Sequence, residues 1–396
     1  MRPPALRASH ATRSASAAAP LAARFQEAHM SPFKLPEFLP PDFSAPPFTD
    51  APPVRFEPVR KAGAAPPQYH ATSIYPEYFQ VRSGIWVLAK ESRMDCVAVL
   101  TEDGSIDVRE FRLLRPGDLV ACGRRENGED GIFVHVDAFG WRPEAREKFA
   151  FRTRLSRETS FSYDYDELYN ILEHDRQNGF ILWVLGPAVA FDKDSRDSVC
   201  AIIDAGFVHG VLAGNALATH DIEAAIFGTA LGQDIYTKEH AELSHYRHLD
   251  ALNRVRSIGS IRAAVEAGAI RGGIMASLVR RGTPFVLAGS IRDDGPMPDV
   301  IPDTAKAQDS MRALARRATT VIAMATQLHS IATGNMTPSY RVMENGAVRP
   351  VFFFVVDMSE FAANKLADRG SLTVRSILTN TQDFVVNLRR KLIREP

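Results

Sequence analysis

Cysteine is scarce: Cys96, Cys122 and Cys200 are odd in number and widely spaced in 396 residues. That excludes a disulfide framework and a thiolate metal site, and it fits a reducing compartment, expected to be the cytoplasm. Cys96 and Cys122 lie in apolar strand-like runs, where a small buried hydrophobe is the simpler reading than a nucleophile. Long hydrophobic runs are missing too. No segment approaches the roughly 18 uninterrupted apolar residues of a membrane span. The most apolar run, Val348 to Met358, has the length of a strand and contains Arg349 and Asp357. Net charge is absent, since 47 basic residues balance 47 acidic ones, so no overall field favours nucleic acid or an anionic membrane. Residues 1–24 lack Asp and Glu and are rich in Arg, Ala, Ser and Pro. That composition suits a transit peptide or a translation start at Met30; an unstructured segment without a targeting role is the simpler expectation.

What is present suits a globular protein of two domains, with 45% hydrophobic and 24% charged residues. Residues 1–68 are dominated by Pro and Ala, and are expected to be extended or unstructured. The aromatics of the FKLPEFLPPDF stretch could lay part of this segment along the folded body. Residues 69–140 read as a small β-rich domain, with short β-type runs such as Ile85–Leu88 and Cys96–Leu100 separated by turn signals at Asp103-Gly104, Pro116-Gly117 and Asn127-Gly128.

Residues 141–396 read as an α/β domain. A charged linker over Arg142–Glu158 leads to a helix over Asp164–Gln177, stopped at Asn178-Gly179. Six apolar runs follow as strands, at Phe180–Leu185, Phe207–Leu212, Pro284–Ala288, Thr320–Ala325, Val351–Val356 and Val374–Leu378. Helices are expected over Ser195–Ala205, Asp221–Gly228, Leu249–Ile258, Ile261–Glu266, Ala305–Arg317, Ser359–Ala367 and Gln382–Leu392. Near-continuous apolar strands alternating with helices predict a doubly wound, Rossmann-like parallel sheet. Ligands on such sheets bind outside the carboxyl ends of the strands.

Those ends carry small or polar clusters, among them Leu185–Ala188, Ala213–Glu223, Ala288–Pro296 and Ala325–Asn335. Asp357 closes an apolar strand, where a carboxylate can accept from both hydroxyls of an adenosine ribose or simply cap the next helix; position alone leaves both open. Since the Gly-x-Gly-x-x-Gly fingerprint is missing, a pyrophosphate would need another turn, and Thr326-Gln327-Leu328-His329 running into a helix is the candidate.

The segments LGPAVA, AGNALATHDIEAAIFGTALG, VLAGSIRDDGPMPDVIPD, ATQLHSIATGN, VVDM and NKLADRGS occur in this order. In them the chain resembles the archaeal-type ornithine cyclodeaminases, the LOR/SDH-related family, whose module also ends the cyanobacterial arginine dihydrolase–ornithine cyclodeaminase fusions. The resemblance runs from about Tyr69 to the C-terminus and is strongest from Gly186 onward. It implies NAD as cofactor, with contacts from Asn215, Ala216, Asp294, Thr326, Gln327, Leu328, His329, Asp357, Asn380 and Thr381. It also implies conversion of L-ornithine to L-proline and ammonia by transient oxidation, cyclisation and re-reduction, and a homo-oligomer. Departures from the family pattern fall at Tyr75, Gln327, Ser244 and Asn380. They leave two further readings open, an enzyme acting on another diamino acid or imine and a non-catalytic NAD-binding protein.

For substrate, Arg292 suits a bidentate carboxylate contact, with an ion pair to Asp293 as the alternative. His220, Asp221 and Glu223 are the acid–base candidates, although either carboxylate could instead stabilise a helix N-terminus. Asp293 or Asp294 could hold the substrate ammonium. Lys365 and Arg369, at helical spacing, read as a solvated face. His240, His245 and His248 lack an evident fourth ligand, so no metal is expected.

Overall fold

Short apolar runs bounded by Gly and Pro form the first part of the protein. The computed structural model describes residues 33–140, 162–240, 242–359, 361 and 372–393. The strands are β1 (Arg55–Pro58), β2 (Glu77–Arg82), β3 (Ile85–Leu88), β4 (Val97–Leu100), β5 (Ile106–Arg109), β6 (Leu119–Cys122) and β7 (Ile132–Val134). They make two antiparallel sheets, β1-β6-β4-β5 and β3-β2-β7. Alternating residues such as Ile106 and Val108 turn into a core with Val54, Phe79, Ala98 and Ile132.

The Pro-rich stretch departs from expectation. Residues 1–68 are expected to be extended or unstructured, with at most the FKLPEFLPPDF part along the folded body, yet β1 lies within them and pairs with β6 from Arg55↔Cys122 to Pro58↔Leu119. The aromatics explain the difference: the Phe43 ring stacks on Trp86 at 4.8 Å, and Phe48 meets Phe133 edge-on at 4.7 Å. Such half-buried aromatic pairs hold a proline-rich chain that has few backbone donors of its own.

After α1 (Ser162–Asn178) the chain alternates strand and helix: β8 (Ile181–Leu185), α2 (Lys193–Asp204), β9 (Gly210–Gly214) and α3 (Asn215–Phe227). The hairpin β10 (Thr229–Ala230) and β11 (Gln233–Asp234) precedes α4 (Ser244–Ile258), α5 (Ile261–Glu266) and α6 (Ile274–Arg281). There follow β12 (Phe285–Ala288), β13 (Val300–Ile301), α7 (Thr304–Ala315), β14 (Thr320–Met324) and α8 (Gln327–Met336). The last elements are β15 (Tyr340–Val342), β16 (Val348–Pro350), β17 (Phe352–Asp357), β18 (Val374–Leu378) and α9 (Thr381–Leu392). The expected helix Ser359–Ala367, with Lys365 and Arg369, falls almost wholly outside the described residues, as does the segment Arg142–Glu158.

Seven strands form a parallel sheet in the order β13-β12-β9-β8-β14-β17-β18. The six expected runs are all in it. The seventh strand is the two-residue edge Val300–Ile301, too short to carry a periodicity. Leu182, Val184, Leu212, Val321, Phe353 and Val355 interlock beneath α7, which is why these strands read as almost unbroken hydrophobic runs. Chain order leads from β8 outward to β9 and β12, then returns to place β14 on the other flank of β8. The connections therefore diverge between β8 and β14, and a crevice opens at such a point.

The β-rich part joins this α/β part through ion pairs. Arg93 Nη2 lies 2.5 Å from Glu110 Oε1, Arg312 reaches the same carboxylate, and Arg316 Nε meets Glu91 Oε1 at 2.7 Å.

Candidate active site

Two backbone features shape the crevice. Gly186, just past β8, has no room for a side chain, because a Cβ there would stand 1.8 Å from the Ala325 carbonyl oxygen. Ala325 itself takes a left-handed conformation, with φ 57°, a cost of order 1–3 kcal/mol that a non-glycine residue bears at functional turns. The two strand ends thus come together, and α8 begins immediately after. Its N-cap, Thr326, makes no side-chain capping bond, so N–H groups of the first helical turn stay available to an anion.

A cleft of about 420 Å³ opens here, lined by Thr326, Gln327, Asp357, Asn380 and Thr381 among others. Half of the ten residues to which the resemblance assigned the cofactor therefore meet in one place. Asp357 accepts from the Ser359 amide through Oδ1 at 3.0 Å, while Oδ2 has no partner among the described residues. One oxygen of this carboxylate thus serves the local turn and the other is left without a protein partner among those residues. Asn380 caps α9, accepting from the Asp383 amide at 2.7 Å and donating to its carboxylate at 2.6 Å, so its side chain is spent on the helix. Ala188, Ala325, Met358, Thr379 and Gln382 also line the cleft, though none was among the assigned contacts. The strand-end cluster Leu185–Ala188 was the signal for Ala188. Gln382 gave none, because its bond to the Ala188 carbonyl (3.2 Å) is visible only in the fold.

The other assigned contacts extend this face across β9. His329 packs over Gly214, where an added Cβ would stand 3.2 Å from its Cε1, so α8 and the end of β9 lie in contact. Burial pushes the His329 imidazole below its ordinary value against the pull of Asp293. Asn215 opens α3 and accepts from the Met297 amide at 3.0 Å, tying down the loop after β12. Ala216 and Leu328 are exposed at their helix starts, and Asp294 is exposed on the loop after β12. Within that loop the Asp293 carboxylate accepts from the Ser290 amide at 2.8 Å. The alternative ion pair between Arg292 and Asp293 does not form, and Arg292 projects from the loop, exposed.

The acid–base candidates separate sharply. α3 starts at Asn215 rather than Asp221, so all of them sit within the helix. Asp221 is fully buried; it pairs with Arg196 Nε at 2.7 Å and accepts from the amides of Ile274 and Met275 at 2.9 and 2.8 Å. It caps α6 and binds α2 to α3, which favours the structural one of the two roles open to it. Glu223 is equally buried. It takes bonds from Thr229 Oγ1 and the amides of Leu231 and Gly232, and from His220 Nδ1 at 3.1 Å. Burial alone would raise its carboxyl, but these donors, His220 foremost, hold it below the usual range. A carboxylate on Nδ1 fixes the tautomer and leaves the lone pair on Nε2. His220 lies one helical turn from exposed Ala216, on the same face of α3, beside the ring of Phe191 (5.4 Å) that follows the Leu185–Ala188 cluster.

The imidazoles of His240, His245 and His248 lie on α4 and the segment before it, and no group of three or more His, Cys, Asp or Glu among the described residues is placed to hold a metal. Nor is any described helix long and apolar enough to cross a membrane.

Comparison with known proteins converges on one family. The family described as "Arginine dihydrolase ArgZ-like, C-terminal, Rossmann fold" matches residues 166–388. The ornithine cyclodeaminase of Methanopyrus kandleri is 37% identical over 351 residues, covering 86% of this chain and 79% of that one. A conserved putative LOR/SDH protein from Methanococcus maripaludis superposes with a TM-score of 0.76 at 32% identity, covering 86% of this chain and 98% of that one. The ternary complex of AgrE with ornithine and NAD⁺ gives a TM-score of 0.53 at 31% identity, covering 87% of this chain and 46% of that one. The chain belongs to the ornithine cyclodeaminase family, whose Rossmann module also forms the carboxyl-terminal part of the ArgZ-like proteins.

Proposed function

We propose that the protein is an NAD-dependent ornithine cyclodeaminase that converts L-ornithine to L-proline and ammonia. The observation that carries this is the cleft between the β8 and β14 ends, where an uncapped α8 start faces the unpartnered Asp357 oxygen. Its residues suit a dinucleotide: backbone amides for the pyrophosphate and a strand-end carboxylate for the adenosine ribose. When bound, NAD supplies a transient acceptor for the α-carbon hydride, which returns to the substrate at the end of the turnover.

The chain's own residues would do the rest. Arg292, free of a carboxylate partner, binds the substrate carboxylate as a fork. Asp293 and Asp294, on the same loop, hold an ammonium group. His220 takes a proton from the α-amine so that the imine can form, and gives one to the departing ammonia after the δ-amine has attacked. Glu223 positions the imidazole without touching substrate. The leaving nitrogen and the closing C–N bond account for every atom of ornithine as proline plus ammonia.

The protein works as a homo-oligomer in the cytoplasm. Leu231, Tyr236, Leu243, Tyr246 and Leu249 are all more than half exposed, an apolar surface contributed by the hairpin segment and α4 that supports self-association. Three unpaired cysteines support the reducing compartment.

The test is to incubate purified protein with NAD⁺ and a panel of basic amino acids, without added NADH. Ornithine should yield ammonia and proline in equal amounts. Turnover of a different diamine alone would replace ornithine as substrate, and tight NAD binding with no turnover across the panel would replace the enzyme with a binding protein.

A further inference from the structure

The amino-terminal ends of β8 and β14 face away from the nucleotide cleft, and a second cavity of about 1330 Å³ opens beside them. Arg349 lines it while 3% exposed; its Nη1 and Nη2 meet Asp175 at 2.8 and 3.1 Å. Its Nε has no acceptor among the described residues. Lys90, Arg317 and Arg341 line the same space, and none of the three is ion-paired with a carboxylate among the described residues. The Arg317 guanidinium lies 4.3 Å from the centroid of the Phe180 ring, and Arg341 donates through Nη1 to the Arg317 carbonyl.

The charges do not cancel. Asp175 matches Arg349, which leaves Lys90, Arg317 and Arg341 against Glu37 and Glu344, an excess of one cation; of these five only Arg341 is half-buried, the others being exposed and screened. Burial, with Arg349 and Arg317 nearby, holds Arg341 below the ordinary arginine value despite the pull of Glu91 and Glu344. A bound anion would relieve that cost. Phe38, Phe180 and Val348 add apolar wall, enough to take a carbon skeleton along with its charged groups.

We propose that this cavity is a second ligand site, for a small organic anion bearing at least two carboxylate or phosphate groups. Planar guanidinium groups pair with both kinds of oxyanion, and the cavity exceeds what a single inorganic ion would fill. β14 lies between Thr319, which lines this cavity, and Thr326 in the nucleotide cleft, so its five residues put about 17 Å of strand between the two. The occupant therefore does not compete with the cofactor.

The test uses the full-length protein saturated with NAD, titrated calorimetrically at constant ionic strength with citrate and, separately, with tripolyphosphate. Saturable binding of either supports the site, and which of them binds tells whether carboxylate or phosphate is preferred. The double variant Arg317→Ala/Arg341→Ala should weaken that binding at least tenfold, with NAD affinity unchanged. Should that variant lose NAD affinity as well, Lys90→Ala replaces it and must show a weakening of threefold or more. Absence of saturable binding for both probes, or undiminished binding in the variants, overturns the proposal.

Discussion

His220 donates through Nδ1 to Glu223 Oε2 at 3.1 Å, from one turn of α3 to the next. Glu223 also collects a hydroxyl and two amides, so it is locked in place before it meets the imidazole. The pair has the form of an oriented base. Replacing His220 by Ala should lower kcat on ornithine by about 10²–10⁴-fold, the usual worth of a positioned acid–base group. Affinity for NAD, measured by titration, should not change. Equal loss of NAD affinity would move His220 out of the proton path and into the cofactor site.

Asp357 carries the clearest prediction for the cofactor. Its Oδ1 is held by the Ser359 amide and its Oδ2 is unpartnered among the described residues, so Asp357→Asn should keep the turn while losing a charged acceptor. About tenfold weaker NAD binding is expected, which corresponds to about 1.4 kcal/mol. The thermal midpoint without NAD should stay within a degree or two. Undiminished NAD affinity would reduce Asp357 to a turn residue.

The contrast between strands and site shows what a chain can announce by itself. Strands buried on both faces must be apolar, so β8, β14 and β17 were legible, as was the small-residue cluster after each. β9 starts three residues after the expected Phe207: the run Phe207-Val208-His209 forms the approach to it, with His209 Nδ1 accepting from the Ile181 amide. α3 begins at Asn215, ahead of the expected Asp221, because the small and polar Asn215–His220 cluster is itself helical. That shift changed the chemistry, since Asp221 became a mid-helix residue. Nothing local could have revealed its role, because Arg196 and α6 reach it from 25 and more than 50 residues away.

Asp221 should therefore matter for stability rather than for the reaction. Removing its charge leaves Arg196 buried without a carboxylate partner, its bond to the Asp221 carbonyl remaining, and weakens the cap on α6. Asp221→Asn should cost about 3–5 kcal/mol in chemical denaturation. The same junction forbids a side chain at Gly273, whose φ is +98° and whose added Cβ would lie 2.0 Å from Arg196 Nη2. Gly273→Ala should destabilise comparably. For either variant, kcat per folded molecule should stay within a few-fold of the parent, and a thousandfold fall without loss of stability would restore Asp221 to the catalytic set.

Asp175 supplies the pH-dependent part of stability. Burial alone would raise its carboxyl, but the Arg349 fork, with Thr319 and His174, holds it below the ordinary value. The folded state therefore prefers the ionised form more strongly than the unfolded chain does. That preference stabilises the fold fully above the unfolded value, about 3.9, and is lost as the pH falls through the lower folded value. Asp175→Asn should cost about 3–5 kcal/mol at pH 7, since it strands Arg349 without its partner. Below about pH 4 the gap to the parent should narrow, because the parent is then losing the same charge. Urea midpoints measured from pH 7 down to pH 3 decide the matter: a gap that stays constant over that range would mean that Asp175 acts through packing and hydrogen bonds rather than through its ionisation.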